Sequence, residues 1–416
     1  MNTRIFSNSF ATVFPFRSLV CAMALLASVW LASAQPGPLS VWTNRPYTLI
    51  PGDYRGPYAF RRVIYAQEIF ATVGGYGDEG VIITSPDGLQ WTSQSVTVPG
   101  FPPNGHAVYD ICYGIGRFVA VGWCGTTMTG NGTKWTENYV GRCITMEGVT
   151  YGSGYFVAVG YPDGGTTNSL VSTDGTNWVI RKSGTGLTSM KHVAYGNGEF
   201  IATSDYGLAR ATTSGLSNPS AIPLFSKVGV STTPTWDVAF GVGVFVITGP
   251  NGINVRALGD SLYTSVNATA VSAVGYTPAG FVAVTSNGGT YLTSLDGTNW
   301  LTHAVTVPLL TPPYSTSQIH RSIAIGAGRM VAVADLFIGH SGPLAQLAPS
   351  SAAGEMFLTG VPSWRYRIEQ RNLTQTNGWQ FVTNHTLATG TPTGFIRDVQ
   401  ATNSSSRIYR AVLPAP

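Results

Sequence analysis

The chain has 416 residues and a net charge of +4, and only 10% of its residues are charged. It has no basic stripe and no acidic run, so nucleic acid is not an expected partner. Its 50 glycines, its many Thr, Ser, Val and Tyr residues and its few strong helix formers predict an all-β chain with tight turns.

The first 34 residues read as a secretory signal peptide. Arg4 and Arg17 precede an apolar run, residues 19–31, which is followed by Ala32-Ser33-Ala34. A basic head, a short apolar run and small residues are the signature of a cleaved leader. The run is shorter than the roughly 20 residues that span a bilayer. We therefore expect cleavage near Ala34, a secreted or periplasmic protein and no membrane span afterwards, with an uncleaved anchor as the alternative.

A repeated unit occupies most of the remaining chain, and residues 148–178 are its clearest copy. Each copy has a hairpin signal, an apolar strand such as Phe156-Val157-Ala158-Val159, a loop and a further strand. The copies begin their apolar strands at seven aligned positions: Phe70, Phe118, Phe156, Phe200, Phe245, Phe281 and Met330. The steps between these positions are 36 to 49 residues long. Such a period indicates stacked repeats that bury one another's faces.

Each period has room for about four short strands, and strands that are apolar on both faces fit sheets packed between sheets. We predict a seven-bladed β-propeller over residues 35–345, with six or eight blades as the alternatives. The last copy lacks a tryptophan-led outer strand, and Ser40-Val41-Trp42-Thr43 resembles one. We therefore expect this N-terminal strand to close the ring.

The pattern changes after the propeller. Residues 346–355 contain Pro349-Ser350-Ser351 and read as a linker. Residues 356–416 contain alternating strands and predict a small β-sandwich-like module.

Three copies end in Ser-x-Asp-Gly-x-x-Trp. The shared positions are Ser85, Asp87, Gly88 and Trp91; Ser172, Asp174, Gly175 and Trp178; and Ser294, Asp296, Gly297 and Trp300. An aspartate at this spacing accepts backbone N–H groups within a turn and glycine takes a left-handed position, so these residues are expected to be structural. They should not form paired catalytic carboxylates or bind calcium.

These boxes resemble the Asp-box, or BNR, repeats of β-propellers that include sialidases and photosystem II assembly factors. The resemblance covers about residues 40–341. It implies the propeller fold, and it places any ligand site at the end of the strands opposite the boxes. It does not by itself imply an activity.

At that opposite end, charged and aromatic residues recur eight or nine positions before most of the aligned residues, and others follow the apolar strands. Such convergence at the mouth of a ring predicts a binding site, although ordinary rim residues that pair with one another are the alternative. The candidates are Arg61, Arg62, Asp110, Glu147, Tyr161, Asp163, His192, Trp236, Asp237 and Arg321.

The sialidase resemblance offers a different interpretation of the same residues. Sialidases use three arginines for the substrate carboxylate and a Tyr–Glu nucleophile pair. Arg61 or Arg62 lies where the first arginine would be, and Arg142 and Arg321 could complete the set. Tyr109 or Tyr161 could pair with Glu147. None of these positions carries the family's local motif, so a diverged glycoside hydrolase is the alternative to a binding module.

Three cysteines remain after the leader. In the propeller prediction, the loops that carry Cys124 and Cys143 lie side by side, so these two could form a disulfide and leave Cys112 free. The cysteines are too few and too widely spaced for a zinc signature. We expect no metal and no other cofactor.

The C-terminal residues resemble a small β module that ends many secreted proteins of planctomycetes and verrucomicrobia. The matching segments are Tyr366-Arg367-Ile368-Glu369, Leu373-Thr374, Gly378-Trp379 and Ile408-Tyr409-Arg410. The whole chain is therefore predicted to be a secreted, monomeric binding or scaffold protein with a glycan or protein ligand. The alternatives are the diverged hydrolase and an assembly factor for another complex.

Overall fold

The computed structural model describes most of the chain after residue 58. The described residues are 39, 42–45, 59–76, 79–94, 96–97, 106–163, 166–184, 187, 189–218, 224–228, 233–257, 264–267, 269–277, 279–286, 289–304, 321–334, 337–349, 355–372, 378–389, 391, 393–398 and 407–413. The predicted signal peptide lies outside them. The chain divides into two compact units, of which one is Trp42–His340 and the other contains Ser341–Pro416.

The first unit consists of repeated antiparallel sheets. The strands are β1 (Trp42–Arg45), β2 (Ala59–Ala66), β3 (Ile69–Tyr76), β4 (Glu79–Ser85), β5 (Thr92–Ser93), β6 (Val96–Thr97), β7 (Val108–Gly114), β8 (Arg117–Gly122), β9 (Thr126–Gly130), β10 (Trp135–Tyr139), β11 (Met146–Gly152), β12 (Tyr155–Asp163), β13 (Thr166–Ser172), β14 (Val179–Lys182), β15 (Met190–Gly196), β16 (Glu199–Ser204), β17 (Gly207–Thr212) and β18 (Ser226–Val228). They continue with β19 (Val238–Gly241), β20 (Val244–Gly249), β21 (Gly252–Ala257), β22 (Thr264–Asn267), β23 (Val271–Thr277), β24 (Gly280–Thr285), β25 (Thr290–Ser294), β26 (Leu301–Ala304), β27 (Ser322–Gly326), β28 (Arg329–Ala334) and β29 (Phe337–Ser341). A short 3-10 helix at Trp123–Gly125 and the helix α1 at Thr213–Ser217 interrupt them.

Among the described residues these strands form seven sheets. Their orders are β2-β3-β4-β5, β6-β10-β9-β8-β7, β11-β12-β13-β14, β15-β16-β17-β18, β19-β20-β21-β22, β23-β24-β25-β26 and β1-β29-β28-β27. The second sheet has a fifth strand, because β6 pairs in parallel with β10. The first strand of each sheet contacts the first strand of the next, and β27 contacts β2. The first strands therefore follow one another around a closed circuit.

Aromatic rings packed on glycines hold neighbouring first strands together. Gly152 ends one first strand, and a Cβ there would lie 2.0 Å from Cγ of Tyr195 in the next. The same pairing joins Gly114 to Tyr151, Gly196 to Phe240, Gly241 to Tyr276 and Gly326 to Tyr65. The aromatic residue and the glycine that recur at the end of most first strands therefore make contacts between sheets, in which the glycine of one sheet meets the aromatic ring of the next. The pair Gly326–Tyr65 makes this contact between the last sheet and the first.

The second strands form the core between sheets. Phe156, Val157, Ala158 and Val159 are all fully buried, as are their counterparts in the other repeats. Gly160 follows them because a Cβ at this position would lie 2.0 Å from the carbonyl oxygen of Thr145. A strand covered by sheets on both faces is buried at every position, which explains why these segments do not alternate between apolar and charged residues.

The three Asp boxes are closed turns between third and fourth strands. Oδ1 of Asp174 accepts hydrogen bonds from the N–H groups of Thr176 and Asn177, each 2.8 Å long. The indole of Trp178 donates to the carbonyl oxygen of Gly175 at 3.0 Å. Asp296 repeats the pattern, and Asp87 accepts the two corresponding backbone bonds.

The second sheet has a turn at the same position, in which Asn131 replaces the box aspartate. Its Oδ1 accepts bonds of 3.0 and 2.9 Å from the N–H groups of Thr133 and Lys134.

The fourth and fifth repeats lack a box, and an ion cluster lies at the corresponding end. Glu199 begins the second strand of the fourth sheet and accepts hydrogen bonds from Arg210 of the same sheet and Arg256 of the next. Arg256 is 2% exposed and pairs with Phe245, the position that serine occupies in the boxes. The cluster thus links two sheets where the box is missing.

The N-terminal strand β1 lies beside β29 at the outer edge of the last sheet. The ring of Trp42 is buried and stacks on Tyr291 of the sixth sheet, with 4.5 Å between ring centroids and 4° between planes. Trp42 therefore contacts the neighbouring sheet as well as extending its own.

The second unit contains two three-stranded antiparallel sheets. Its strands are β30 (Ala345–Pro349), β31 (Glu355–Gly360), β32 (Arg365–Asn372), β33 (Gln380–Thr386), β34 (Thr393–Arg397) and β35 (Arg407–Val412), in the orders β30-β31-β34 and β33-β32-β35. The buried hydroxyl of Tyr366 joins the two sheets' ends, since it accepts from the N–H of Val361 at 2.7 Å and donates to the carbonyl of Leu344 at 2.9 Å.

The structure differs from the predicted linker, residues 346–355, in the first part of that segment. Residues 346–349 belong to β30, because their backbone pairs with β31 from Gln346 opposite Thr359 to Pro349 opposite Met356. Proline tolerates this position because β30 is an edge strand.

Candidate functional site

The end of the strands opposite the Asp boxes is defined by a repeated β-bulge. In the first strand of the third sheet, Met146 pairs with Gly160 and Gly148 pairs with Val159, so Glu147 is the extra residue. Arg61, Tyr109 and Ser272 are the extra residues at the same position of three other sheets. A bulge breaks the two-residue alternation of a strand and re-aims its side chains. Two successive residues of each first strand can therefore face the same region.

Asp110, which follows the bulge of the second sheet, and its equivalents Asp237 and Ser322 form contacts between sheets. One carboxylate oxygen of Asp110 accepts the N–H of Val149 in the next sheet at 2.8 Å, and Asp237 accepts that of Val274 at 3.0 Å. Both aspartates are almost fully buried. Ser322 makes the equivalent contact from the last sheet to the first, because its hydroxyl accepts the N–H of Val63 at 3.2 Å.

Arg62 binds both aspartates. Its Nη1 lies 3.0 Å from Oδ1 of Asp237, and its Nε lies 3.4 Å from Oδ1 of Asp110. Burial alone would lower the pKa of Arg62, but the charges of Asp237 and Asp110 outweigh it and raise the pKa. The guanidinium is therefore already occupied by two buried carboxylates. This leaves Arg62 poorly suited to hold the carboxylate of a ligand.

His192 and Cys112 lie beside this cluster. Nδ1 of His192 is 4.0 Å from Oδ2 of Asp110, and burial lowers the pKa of the imidazole below its ordinary value. Burial, followed by the charge of Asp110, raises the pKa of the Cys112 thiol. A neutral imidazole and a protonated thiol provide no activated nucleophile here, since nucleophilic cysteine requires the thiolate.

The extra residues Arg61 and Glu147 belong to a second group of charges. Glu147 lies within the electrostatic influence of Arg61, Lys191 and Arg321. Burial is the main cause that raises the pKa of Glu147, and these three cations oppose it. Arg61 also lies over the ring of Tyr109 of the next sheet, 5.2 Å from its centroid. We call Arg61, Tyr109, Glu147, Lys191 and Arg321 the mouth cluster.

Asp205, which follows β16, and Tyr161, near the end of β12, extend the mouth cluster. Nζ of Lys191 lies 2.6 Å from Oδ1 of Asp205, whose other oxygen accepts a hydrogen bond from Ser189. Tyr161 is 45% exposed, and the charge of Glu147, followed by burial, raises the pKa of its phenol. Anionic, cationic and aromatic groups therefore meet at this end.

The remaining predicted site residues contribute less to this group of charged and aromatic side chains. Trp236 is half-buried, and its carbonyl oxygen accepts a bond from Thr203. Arg142 is exposed beside Cys143. The backbone of Asp163 pairs with Thr166, and its side chain lies outside the described part of the structure.

A disulfide joins Cys124 to Cys143 at this end of the strands. Cys112 is the free cysteine of the described residues. Within the same residues, no three His, Cys, Asp or Glu side chains are grouped as metal ligands. No helix in the described part of the chain is long and apolar enough to cross a membrane.

Neither the protein-family models nor the curated proteins give a match to this sequence. Solved structures do resemble its fold. A catalytically inactive virginiamycin B lyase from Staphylococcus aureus, solved with quinupristin, has a TM-score of 0.54 at 10% identity and covers 72% of this chain and 99% of its own. YCF48 bound to D1 peptide has a TM-score of 0.52 at 11% identity, covering 72% and 95%.

The WD40 β-propeller domain of Doa1 has a TM-score of 0.48 at 12% identity, covering 69% and 94%. The virginiamycin B lyase and YCF48, whose TM-scores are above 0.5, are β-propellers, and the all-β fold of this chain, with its repeated four-stranded antiparallel sheets, is a β-propeller fold. At these identities the likeness concerns the fold alone.

Proposed function

We propose that the chain is an exported, seven-bladed Asp-box β-propeller followed by a small β-sandwich-like module. The seven sheets, the contact of β27 with β2 and the outer strand at Trp42–Arg45 support this ring. The hydrogen bonds of the three boxes support the Asp-box assignment. The leader-like first 34 residues support export and cleavage near Ala34.

We further propose that this propeller is a monomeric binding or scaffold module whose ligand contacts the mouth cluster. The observation that carries this proposal is the meeting of Glu147 with three cations and two tyrosines at the end opposite the boxes. Both signs of charge beside exposed aromatic surface suit a polypeptide segment, which offers charged ends and side chains together. The structurally similar YCF48, bound to D1 peptide, is consistent with that ligand class.

The test uses peptide-display selection and a glycan array on the immobilised mature chain. Selected peptides should bind the unmodified chain and lose at least about tenfold in affinity in the double variant Arg61→Ala/Glu147→Ala, since charged contacts of this kind are worth about 1.5–3 kcal/mol. Lys134→Ala is the matched control, because this exposed lysine lies in the box turn at the other end. Equal binding by the double variant and the control would refute the mouth as the site.

The same selection separates the ligand classes. A signal on the glycan array that depends on Arg61 and Glu147, without peptide binding, would replace the peptide by a carbohydrate. A protein partner that binds through these residues and promotes assembly of a larger complex would make the chain an assembly factor.

One observation favours a second candidate, the diverged sialidase-like hydrolase. Arg61 and Arg321 lie near Glu147, and Glu147 is the main cause of the raised pKa of Tyr161, as a Tyr–Glu pair would require. The commitment of Arg62 to Asp110 and Asp237 speaks against it. Turnover of fluorogenic sialosides that is abolished by Glu147→Gln would establish this candidate, and no turnover across the panel would remove it.

A further inference from the structure

The C-terminal unit carries a face on which arginines and aromatic rings alternate. In β32 the side chains of Arg365, Arg367 and Arg371 are exposed, whereas those of Tyr366 and Ile368 between them are fully buried. Since successive residues of a strand point to opposite faces, these arginines share one face. Glu369 lies on the same face and is directly opposite Arg410 of β35.

The arginines cover aromatic rings of the same sheet. The guanidinium carbon of Arg410 lies 4.3 Å from the ring centroid of Trp379, and that of Arg371 lies 5.4 Å from it. Arg367 lies 4.7 Å from the centroid of Phe381, whose side chain is 50% exposed. Stacking of this kind fixes the planes of the guanidinium groups and leaves their edges to donate hydrogen bonds. We call Arg365, Arg367, Arg371, Arg410, Trp379 and Phe381 the arginine face.

One carboxylate compensates only part of this charge. Glu369 accepts hydrogen bonds from Nε of Arg367 at 2.7 Å and from Nε of Arg410 at 2.8 Å, so each of its oxygens has an arginine partner. Arg365 and Arg371 have no carboxylate within 4.0 Å among the described residues. Four arginines and one glutamate leave a net charge of about +3 on this face.

The amino-acid composition of residues 341–416 agrees with the positive charge of the arginine face. Residues 341–416 contain six arginines, no lysine and three acids, Glu355, Glu369 and Asp398, so the segment has a net charge of +3. Residues 35–340 hold 15 basic and 16 acidic residues, so their net charge is −1. The positive charge of the mature chain is therefore concentrated in the small unit, and arginine alone supplies it.

We propose that the arginine face binds an acidic polysaccharide through the carboxylate groups of its sugars. Arginine presents a planar fork that binds a carboxylate in bidentate fashion, and four such forks lie together on this face. A single-stranded nucleic acid would need open aromatic faces on which bases stack. Arginines already cover the faces of Trp379 and Phe381, which favours the polysaccharide. This site is separate from the mouth cluster and does not depend on the function proposed for it.

Binding is measured with the full mature chain and polygalacturonate, a polymer of a carboxylated sugar. Dextran serves as the uncharged polymer and oligothymidylate as the nucleic acid. We expect binding to polygalacturonate that weakens with salt, and at least tenfold weaker binding by Arg365→Gln/Arg371→Gln. Both residues are exposed and neither holds the buried core, so the thermal midpoint should stay within about 2 °C of the original, as for other surface changes.

Arg397→Gln is the matched control, since its side chain is 67% exposed in the other sheet of the same unit. It removes one positive charge, against two in the double variant, and its affinity should stay within twofold. Arg371→Lys keeps the charge but loses the fork, and it should weaken binding severalfold. Absence of binding to polygalacturonate, equal affinity of the double variant and the original, or equally tight binding to dextran would overturn the proposal. Tighter binding to oligothymidylate would also overturn it in favour of a nucleic-acid site.

Discussion

Arg62 of the first sheet donates a hydrogen bond of 3.0 Å to Asp237 of the fifth, 175 residues further along the chain. Its second carboxylate partner, Asp110, belongs to the second sheet. The two aspartates in turn hold the N–H groups of Val149 and Val274 in the third and sixth sheets. The guanidinium of Arg62 therefore binds two aspartates, each of which also holds a backbone N–H group of a neighbouring sheet.

Removal of this guanidinium should destabilise the fold strongly. Arg62→Met leaves Asp110 and Asp237 buried without a cation, which costs about 3–5 kcal/mol when one partner of a buried pair is lost. Chemical denaturation of the two proteins measures the difference. The additional change Asp237→Asn removes one uncompensated charge and should recover part of the loss. A double variant as unstable as Arg62→Met would mean that the electrostatic explanation is wrong.

The Asp-box aspartates should contribute through hydrogen bonds rather than through chemistry. Asp174→Ala removes the acceptor for the N–H groups of Thr176 and Asn177, with an expected cost of about 1.5–3 kcal/mol for bonds to a charged group. Asp174→Asn should cost less, because Asn131 accepts the same two bonds in the second sheet. Thermal denaturation checks both, and ligand binding should be unaffected in either variant that folds.

The repeats were predictable from sequence because their signals are local. The hairpin, the apolar second strand and the box each lie within about ten residues, and their turn geometry depends on residues within that length. The strand Trp42–Arg45 could also be anticipated, since the last repeat lacks its own outer strand. The parallel strand β6 and the start of the C-terminal sheet at Ala345 have no such local signal, and the sequence did not indicate them.

The residues at the mouth were predictable, but their roles were not. The sequence places Arg61-Arg62 and Tyr109-Asp110 at equivalent positions, and two consecutive polar residues in an otherwise alternating strand are a usable sign of the bulge. Sequence cannot show that Arg62 is occupied by two aspartates, because the contact crosses the ring. Glu199 and its two arginine partners were missed because Arg256 reaches Glu199 from the next sheet, which no local pattern indicates.

Hairpin tips offer a test of backbone strain. Ile115 has φ of 42° and is 51% exposed, although a β-branched residue strongly disfavours this region. Asn197 occupies the same position of the fourth sheet with φ of 41°. Ile115→Asn should therefore raise the free energy of unfolding by about 1 kcal/mol, and Asn197→Ile should lower it similarly. Urea denaturation that shows the same sign for both changes would contradict this explanation.

Packing of Tyr195 on Gly152 gives a test of the contact between sheets. Gly152→Ala places a Cβ 2.0 Å from Cγ of Tyr195, so the next sheet must move away. Overpacking of this kind typically costs about 1–3 kcal/mol. Ala66 is the equivalent residue of the first sheet, and Ala66→Gly is the control that creates no clash. The thermal midpoint should fall clearly in the first variant and much less in the second.

His192 should make stability depend on pH. Burial lowers the pKa of its imidazole in the folded protein, whereas the unfolded chain titrates near about 6.5. Below that value the unfolded state binds a proton that the folded state does not, so the free energy of unfolding decreases as the pH falls from about 7. The decrease ends once the pH is below the folded pKa, because both states are then protonated.

The variant His192→Gln isolates this contribution, because the amide does not titrate. Denaturation curves are collected for both proteins between about pH 7.5 and 5, and their difference removes the effect of other groups such as Glu147. The pKa of Glu147 is raised by burial, so its own contribution has the opposite sign and favours the folded state as the pH falls. We expect the original chain to lose stability relative to the variant towards pH 5. Parallel curves would show that His192 does not titrate differently in the folded and unfolded states.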